Sequence, residues 1–254
     1  MVSWPDPGTR VTVRYRRPPG AVPPLTDAVG HLLEIDPVVR VRTKTAAVVE
    51  IAPADVVAVR ALTDAPIRAS QIRALEHAAA AAWPGAERTW VDGWLLRAEP
   101  GAGPATNSAM PLDVSADPTA IPAIVDWYRR RDMTPRLAIP DRLLSLPPGA
   151  AAERTERVLV RDVSRVTPAS RPGDGGRRAA VTDSPDGTRW VGLSAVRDAA
   201  DGWALLAWGA GRGATRAYVG VGDDDAAAIA LADSLGFRPH HRRRYVTARS
   251  VDTV

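Results

Sequence analysis

The chain has 254 residues, 45% hydrophobic and 24% charged, a balance ordinary for a soluble globular protein of two small domains or one large one. It contains no cysteine, which excludes disulfides, thiolate metal sites and cysteine nucleophiles, and no apolar run near the roughly 20 residues of a membrane span. The formal net charge is +4 and Lys44 is the only lysine, so the positive charge is arginine, in too mild an excess to announce a nucleic-acid binder.

Residues 9–60 hold five short β-like runs, RVTVRYR, AVGHLLEI, VVRVRTK, AAVVEI and DVVAVR, separated by Pro-rich or Asp-Pro turns. Val11, Val13, Tyr15 and Val39, Val41, Thr43 alternate with Arg10, Arg14, Arg16, Arg40 and Arg42. This period of two belongs to a sheet with one packed face and one wet face. The pattern predicts a small barrel over residues 1–62. Arginine rows suit phosphate backbones. Here Asp27, Glu34, Asp36, Glu50 and Asp55 lie near them and favour a solvated strand face, so nucleic acid is not the expected partner.

Ala61 to Ile67 reads as a linker. Ser70 then stands where it would cap an Ala-rich helix whose buried side carries Ile72, Leu75, Ala79 and Ala82 or Trp83, ended by Pro84-Gly85. ERTWVDGWLLR (Glu87 to Arg97) predicts a hairpin turning at Asp92-Gly93. Trp90 and Trp94 flank that turn, as packing residues or as a stacking platform. NSAMPL predicts a strand, Ile121, Ile124, Val125 and Tyr128 an amphipathic helix, and PRLAIP and RVLVRDV two more strands. The Pro/Gly-rich run at 166–178 reads as a linker between segments 69–165 and 179–250.

The last segment opens with AAVTD and TRWVGLSAV, joined by a turn at Pro185-Asp186-Gly187. After Asp201-Gly202, Trp203, Leu206, Ala207 and Ala210 share one helix face, and Gly211 and Gly213 supply the stop. ATRAYVGV is a second strand. Asp223, Asp224 and Asp225 start a helix whose apolar face is Ala228, Leu231, Ala232 and Leu235. Strand, helix, strand, helix with short connections predicts a βαβα unit with parallel strands. His240 and His241 are expected on a solvated final strand, on opposite faces and so not joint metal ligands; no metal site is expected.

The string from TRWVGLSAV through the acidic cluster to LGF, with a last strand near RRRYV, resembles the C-terminal half of the GNAT superfamily of N-acetyltransferases. The helix, WPG stop, DGWLLR hairpin and NS strand resemble the preceding segment of one bacterial branch of that superfamily. Its members have an SH3-like N-terminal domain and are described as N-acetylglutamate-synthase-like or histone-acetyltransferase-like. The resemblance covers most of the chain. It implies an α+β architecture, a small SH3-like β-barrel followed by GNAT-like mixed-sheet α/β acetyltransferase structure, with acetyl-CoA and an amine as partners. By the same resemblance Ser194, Ala195, Val196, Arg197, Gly202 and Asp225 would contact the cofactor.

Three positions depart from the family pattern. VRDAADGWALL replaces the Gly-rich pyrophosphate loop, with Asp201 read as the helix N-cap where phosphate would sit. Asp225 stands at the family's Asn, and Ala232 at the Tyr that protonates the departing thiolate. Tyr218 and Tyr245 are the tyrosines left to substitute. Weak acetyl-CoA binding follows from these departures, and catalytic residues are not identified by them. Two other readings stay open: a binding or regulatory protein that kept the fold and lost the chemistry, and a nucleic-acid module using the arginine rows. MVSWPDPGTR lacks a signal peptide's charged start and apolar core, so a cytoplasmic location is expected. The acceptor amine and the oligomeric state are not specified by these residues.

Overall fold

The computed structural model describes residues 4–62, 67–145, 151–169 and 178–248. The chain divides into two compact units, Met1–Pro66 and Ile67–Val254.

In the first unit, β1 (Arg10–Arg16), β2 (Leu25–Glu34), β3 (Val39–Thr43), β4 (Val48–Ile51) and β5 (Val56–Ala61) form one antiparallel sheet among the described residues, in the order β4-β3-β2-β1-β5. The period-2 pattern decides its faces. Val11, Val13, Ala28, Leu32, Val39, Val41 and Ile51 make the core. A Cβ on Gly30 would collide with the Arg42 carbonyl, so glycine is what lets β2 and β3 close up there. On the wet face Arg14 forks onto Asp27 at 3.0 and 3.1 Å, and Arg40 reaches Glu50 and Glu34 at 2.9 and 3.1 Å. Exposed pairs of this kind are worth about 0–1 kcal/mol each. Their effect is to neutralise part of the arginine rows.

The second unit contains α1 (Ala69–Ala82), β6 (Glu87–Val91), β7 (Trp94–Ala98), β8 (Ala109–Pro111), α2 (Ile121–Arg129), β9 (Arg136–Pro140) and β10 (Arg154–Asp162). It continues with β11 (Ala179–Asp183), β12 (Arg189–Leu193), α3 (Ala199–Gly211), β13 (Arg216–Gly222), α4 (Ala226–Ser234) and β14 (Arg238–Thr247). Its strands form one mixed sheet among the described residues, ordered β11-β12-β13-β10-β14-β9-β8-β7-β6. The last strand, β14, lies between β10 and β9, so the segments before and after residues 166–178 share that sheet. Most of the run at 166–178 lies outside the described residues. Alternation along β10 and β13 sets two faces. Val158, Val160 and Tyr218 meet Leu75 and Ala78 of α1. Leu159, Ala217, Val219 and Val221 meet Leu205 and Leu206 of α3 and Ala232 of α4.

The hairpin turns as expected, with φ of 43° at Asp92 and 82° at Gly93. Trp94 is fully buried while Trp90 is 52% exposed, so the two are not a joint platform. Two helix details differ from the sequence reading. The cap of α1 is Arg68 and not Ser70: the Arg68 N–H donates to Gln71 Oε1 at 2.9 Å. In α3 the buried stripe is Gly202, Leu205, Leu206 and Gly209, one residue off the expected face. The glycines decide this. A Cβ at Gly202 would strike Leu235, and one at Gly209 would strike Val191, so α3 settles onto its neighbours through its smallest residues. Trp203 is left outside, with the Arg161 guanidinium 4.6 Å from its ring.

Candidate functional site

The parallel strands β12 and β13 pair from Trp190–Arg216 to Leu193–Val219 and then part. Beyond this point the Ser194 N–H donates to the Arg178 carbonyl on the β11 side, at 2.8 Å. Ala195 takes a left-handed φ of 49°, which turns the chain away from β13. β13 runs on along β10 to the Glu156–Gly222 pair, so past Val219 its other edge has no strand partner among the described residues. An unpaired edge offers backbone donors and acceptors to an extended ligand.

Two cavities flank this gap. One of about 240 Å³ lies on the α4 side, lined mainly by apolar residues such as Val196, Val221, Ala228, Leu231, Ala232 and Phe237. Another of about 360 Å³ lies on the α1 side, where Glu76, Trp83, Arg97, Glu156, Tyr218 and Arg243 contribute. Arg154, Leu193, Ala195 and Gly220 line both, so the cavities meet where the strands diverge. Gly220 keeps the junction open: a Cβ built there would meet only Glu156 Oε2, at 3.6 Å.

Beside the junction is a buried polar network. Glu76 of α1 is fully buried and accepts from Arg243 Nε at 3.0 Å and Nη2 at 2.6 Å, with His241 Nε2 at 2.6 Å. Glu156 Oε2 accepts from Arg243 Nη1 at 3.1 Å and the Tyr245 hydroxyl at 2.8 Å, while its Oε1 pairs with Arg154 at 3.0 Å. Burial by itself raises the carboxyl pKa of Glu76, but Arg243 and His241 together hold it down at about 2. Burial pushes the Tyr245 hydroxyl up to about 12. It also pushes His240 down to about 4, helped by the neighbouring His241.

This corrects the expectation of a solvated final strand. β14 is an interior strand whose His241, Arg243 and Tyr245 point inward at a period of two. The histidines are also closer than a regular strand permits. The register against β10 slips by one residue at His240, a bulge that brings the two Nδ1 atoms to 2.8 Å. Glu76, Glu156 and Arg243 were missed by sequence reasoning. The signals for them were present: Glu76 sits four residues after the buried Ile72, and His241, Arg243 and Tyr245 alternate.

The first turn of α3 is also different from expectation. The helix starts at Ala199, with Asp198 and not Asp201 as N-cap, its Oδ1 accepting the Asp201 N–H at 2.8 Å. Asp201 folds back instead. It accepts the Arg197 N–H at 3.1 Å, pairs with Arg197 Nη2 at 3.2 Å, and pairs with Arg178. The Arg178 hydrogen bond, followed by those from Arg197, holds the Asp201 carboxyl well below the usual range.

The expected cofactor residues therefore separate. Val196 and Asp225 line the α4-side cavity, Ser194 the α1-side cavity, and Ala195 both. Asp225 caps α4, accepting the Ala228 N–H at 2.9 Å. Arg197 is exposed at the α3 start, and Gly202 is packed within α3 against Leu235, outside both cavities. Ala232 lines the cleft without a hydroxyl, Tyr218 lines the α1-side cavity, and the Tyr245 hydroxyl is committed to Glu156. The apolar cleft and the free β13 edge fit the amide-bearing arm of an acyl-CoA. The α3 first turn fits a pyrophosphate poorly, because carboxylates of the chain itself already occupy N–H donors there. Among the described residues no cluster of potential metal ligands is found, and no helix is long and apolar enough to cross a membrane.

Residues 5–60 match the profile of the Rv0428c N-terminal Sm-like domain. Residues 69–173 and 166–246 match that of the probable histone acetyltransferase Rv0428c C-terminal region, in two pieces that meet at the Pro/Gly-rich run. The probable histone acetyltransferase Rv0428c of Mycobacterium tuberculosis (strain ATCC 25618 / H37Rv) is 56% identical, over 99% of this chain and 98% of the relative. That alignment spans 299 positions, more than the 254 residues of this chain, so the relative carries residues that this chain lacks. Among solved structures, a GCN5-related N-acetyltransferase from Kribbella flavida gives a TM-score of 0.46 at 14% identity, covering 72% of this chain and 96% of that one. A GNAT-family acetyltransferase from Novosphingobium aromaticivorans DSM 12444 gives 0.40 at 18% identity, covering 63% and 89%.

Proposed function

Because this chain belongs to the Rv0428c-like family of probable histone acetyltransferases, we propose that it transfers an acetyl group from acetyl-CoA to an amine where its two cavities meet. Acetyl-CoA supplies an acyl carbon activated by a thiol leaving group. Val196, Leu231, Ala232 and Phe237 receive its apolar arm, and the free edge of β13 from Gly220 to Gly222 hydrogen-bonds the arm's amides. The acceptor occupies the α1-side cavity. Glu156, facing Gly220 across the junction, orients the amine and takes its proton. Glu76 is unsuited to that task, since both its oxygens are held by His241 and Arg243.

The observation that carries this reading is the open junction lined by Arg154, Leu193, Ala195 and Gly220. Glu156→Gln keeps the shape and removes the proton acceptor. Its expected effect is a fall in kcat of about 10²- to 10⁴-fold with acetyl-CoA affinity little changed. The check is thiol release from acetyl-CoA in the presence of amines, alongside calorimetry. A variant with undiminished kcat would remove Glu156 from the reaction.

One observation favours a second reading, a binding or regulatory protein that kept the fold: the first turn of α3 is filled by Asp201. Asp201→Asn removes a fixed anion beside the pyrophosphate position and loosens Arg178 and Arg197 toward phosphate. Acetyl-CoA should then bind about tenfold more tightly, the lower part of what removing a like charge at close range yields. A wild-type protein that binds acetyl-CoA at low micromolar concentration and turns over an amine rules the second reading out.

A further inference from the structure

We propose that the α1-side cavity binds a small amine that also carries a carboxylate, and that Arg97 recognises the carboxylate. The inference rests on the reading above only in taking this cavity as the acceptor side.

Arg97 lies on β7, is 3% exposed and lines the cavity. It is fixed from three directions. Its backbone N–H donates to the Tyr128 hydroxyl at 3.3 Å, and that hydroxyl donates to the Arg97 carbonyl at 2.8 Å. Nη1 donates to the Trp83 carbonyl at 3.0 Å and Nη2 to the Ala105 carbonyl at 2.7 Å. None of these partners is an anion. The two carboxylates of the cavity are already matched, Glu76 by Arg243 and Glu156 by Arg243 and Arg154. Arg97 makes no ion pair among the described residues, and its buried Nε has no hydrogen-bond partner among them. Burial and the nearby Arg243 both push its pKa down, as expected where a cation lacks a counter-charge.

A second unsatisfied group lines the same cavity. The Tyr218 hydroxyl is buried without a partner among the described residues, and it lies close enough to Arg97 to feel that charge. Buried polar groups without partners are uncommon and call for a reason. A planar oxyanion supplies one for both: it accepts from the guanidinium fork through Nε–H and an Nη–H, and from the phenol. A peptide lysine would instead bring another cation into a cavity whose carboxylates are already paired. A compact amino carboxylate brings its own counter-charge, and about 360 Å³ is the scale of a small-molecule site.

The test uses the full chain and three matched pairs of amines, with and without a carboxylate: L-phenylalanine and phenethylamine, L-lysine and 1,5-diaminopentane, L-serine and ethanolamine. A lysine peptide blocked at both ends is the fourth arm. Binding is measured by calorimetry in the presence of CoA, and turnover by thiol release from acetyl-CoA. In at least one pair the carboxylated member should bind at least about tenfold more tightly, and Arg97→Gln should abolish that preference. Tyr218→Phe removes only an unpartnered hydroxyl, so it keeps the fold and should narrow the preference severalfold. It carries the test if Arg97→Gln does not fold. Equal binding within every pair, tighter binding of the peptide, no binding of any carboxylated amine, or a preference indifferent to both variants overturns the proposal. A carboxylate preference without thiol release upholds it and counts instead against the acetyl-transfer reading.

Discussion

Glu76→Ala is expected to destabilise the Ile67–Val254 unit by about 3–5 kcal/mol, because it leaves Arg243 buried with one of its two carboxylates. The pH dependence gives an independent route to a similar figure. The Glu76 carboxyl has a pKa of about 2 in the fold against an ordinary 4.5, so the unfolded chain binds more protons between these values. The stability it lends is complete above about pH 4.5 and is lost as pH falls toward 2, a difference of about 3 kcal/mol. His240 acts in the same direction at higher pH. Its pKa is about 4 in the fold against 6.5, so the unfolded chain again takes up more protons and stability falls between those values. Urea denaturation at a series of pH values should show stability declining from near pH 6.5 downward. In Glu76→Ala the decline below pH 4.5 should largely disappear. A variant as stable as the wild type at pH 7 would mean that the network is not what holds β14 against α1.

Gly220→Leu is expected to lower acetyl transfer by at least about a hundredfold, whereas Gly220→Ala should be tolerated. The first added carbon lies 3.6 Å from Glu156 Oε2, an ordinary contact, so alanine fits. Leucine extends into the junction shared by the two cavities and separates the reacting groups. Displacements of about 1 Å already cost about 10² in rate. Both variants should give folded spectra, since Gly220 packs against nothing else in its surroundings. A folded Gly220→Leu protein with wild-type kcat would mean that the two cavities do not serve one reaction.

Elements governed by local period or turn chemistry were readable from the residues alone. Val11 and Val13 in β1, Val39 and Val41 in β3, and the Asp92-Gly93 turn are where the pattern places them. What escaped depends on distant partners. RPHHRRRYVT looks solvated because it is dense in charge. It is interior because Glu76 and Glu156 arrive from 165 and 87 residues away. The bulge at His240 follows from the fit between β14 and β10, which no local rule specifies. At α3 an acidic run offered two possible caps. Asp198 won because Asp201 found Arg178 and Arg197. Of the candidate site, the residues at the strand divergence were found from the family resemblance. Arg97 gave no signal, because its burial depends on the Trp83 and Ala105 carbonyls that receive it.

The central claim is that one continuous passage across the sheet brings acetyl-CoA and an amine together. Its most direct test is calorimetric titration of the full chain with acetyl-CoA, followed by thiol release when the amine panel is added. The account predicts saturable binding at a single site, tightened by Asp201→Asn, and thiol release that depends on the amine and is lost in Gly220→Leu. Absence of any binding heat in both the wild type and Asp201→Asn, together with no thiol release from either, would contradict it.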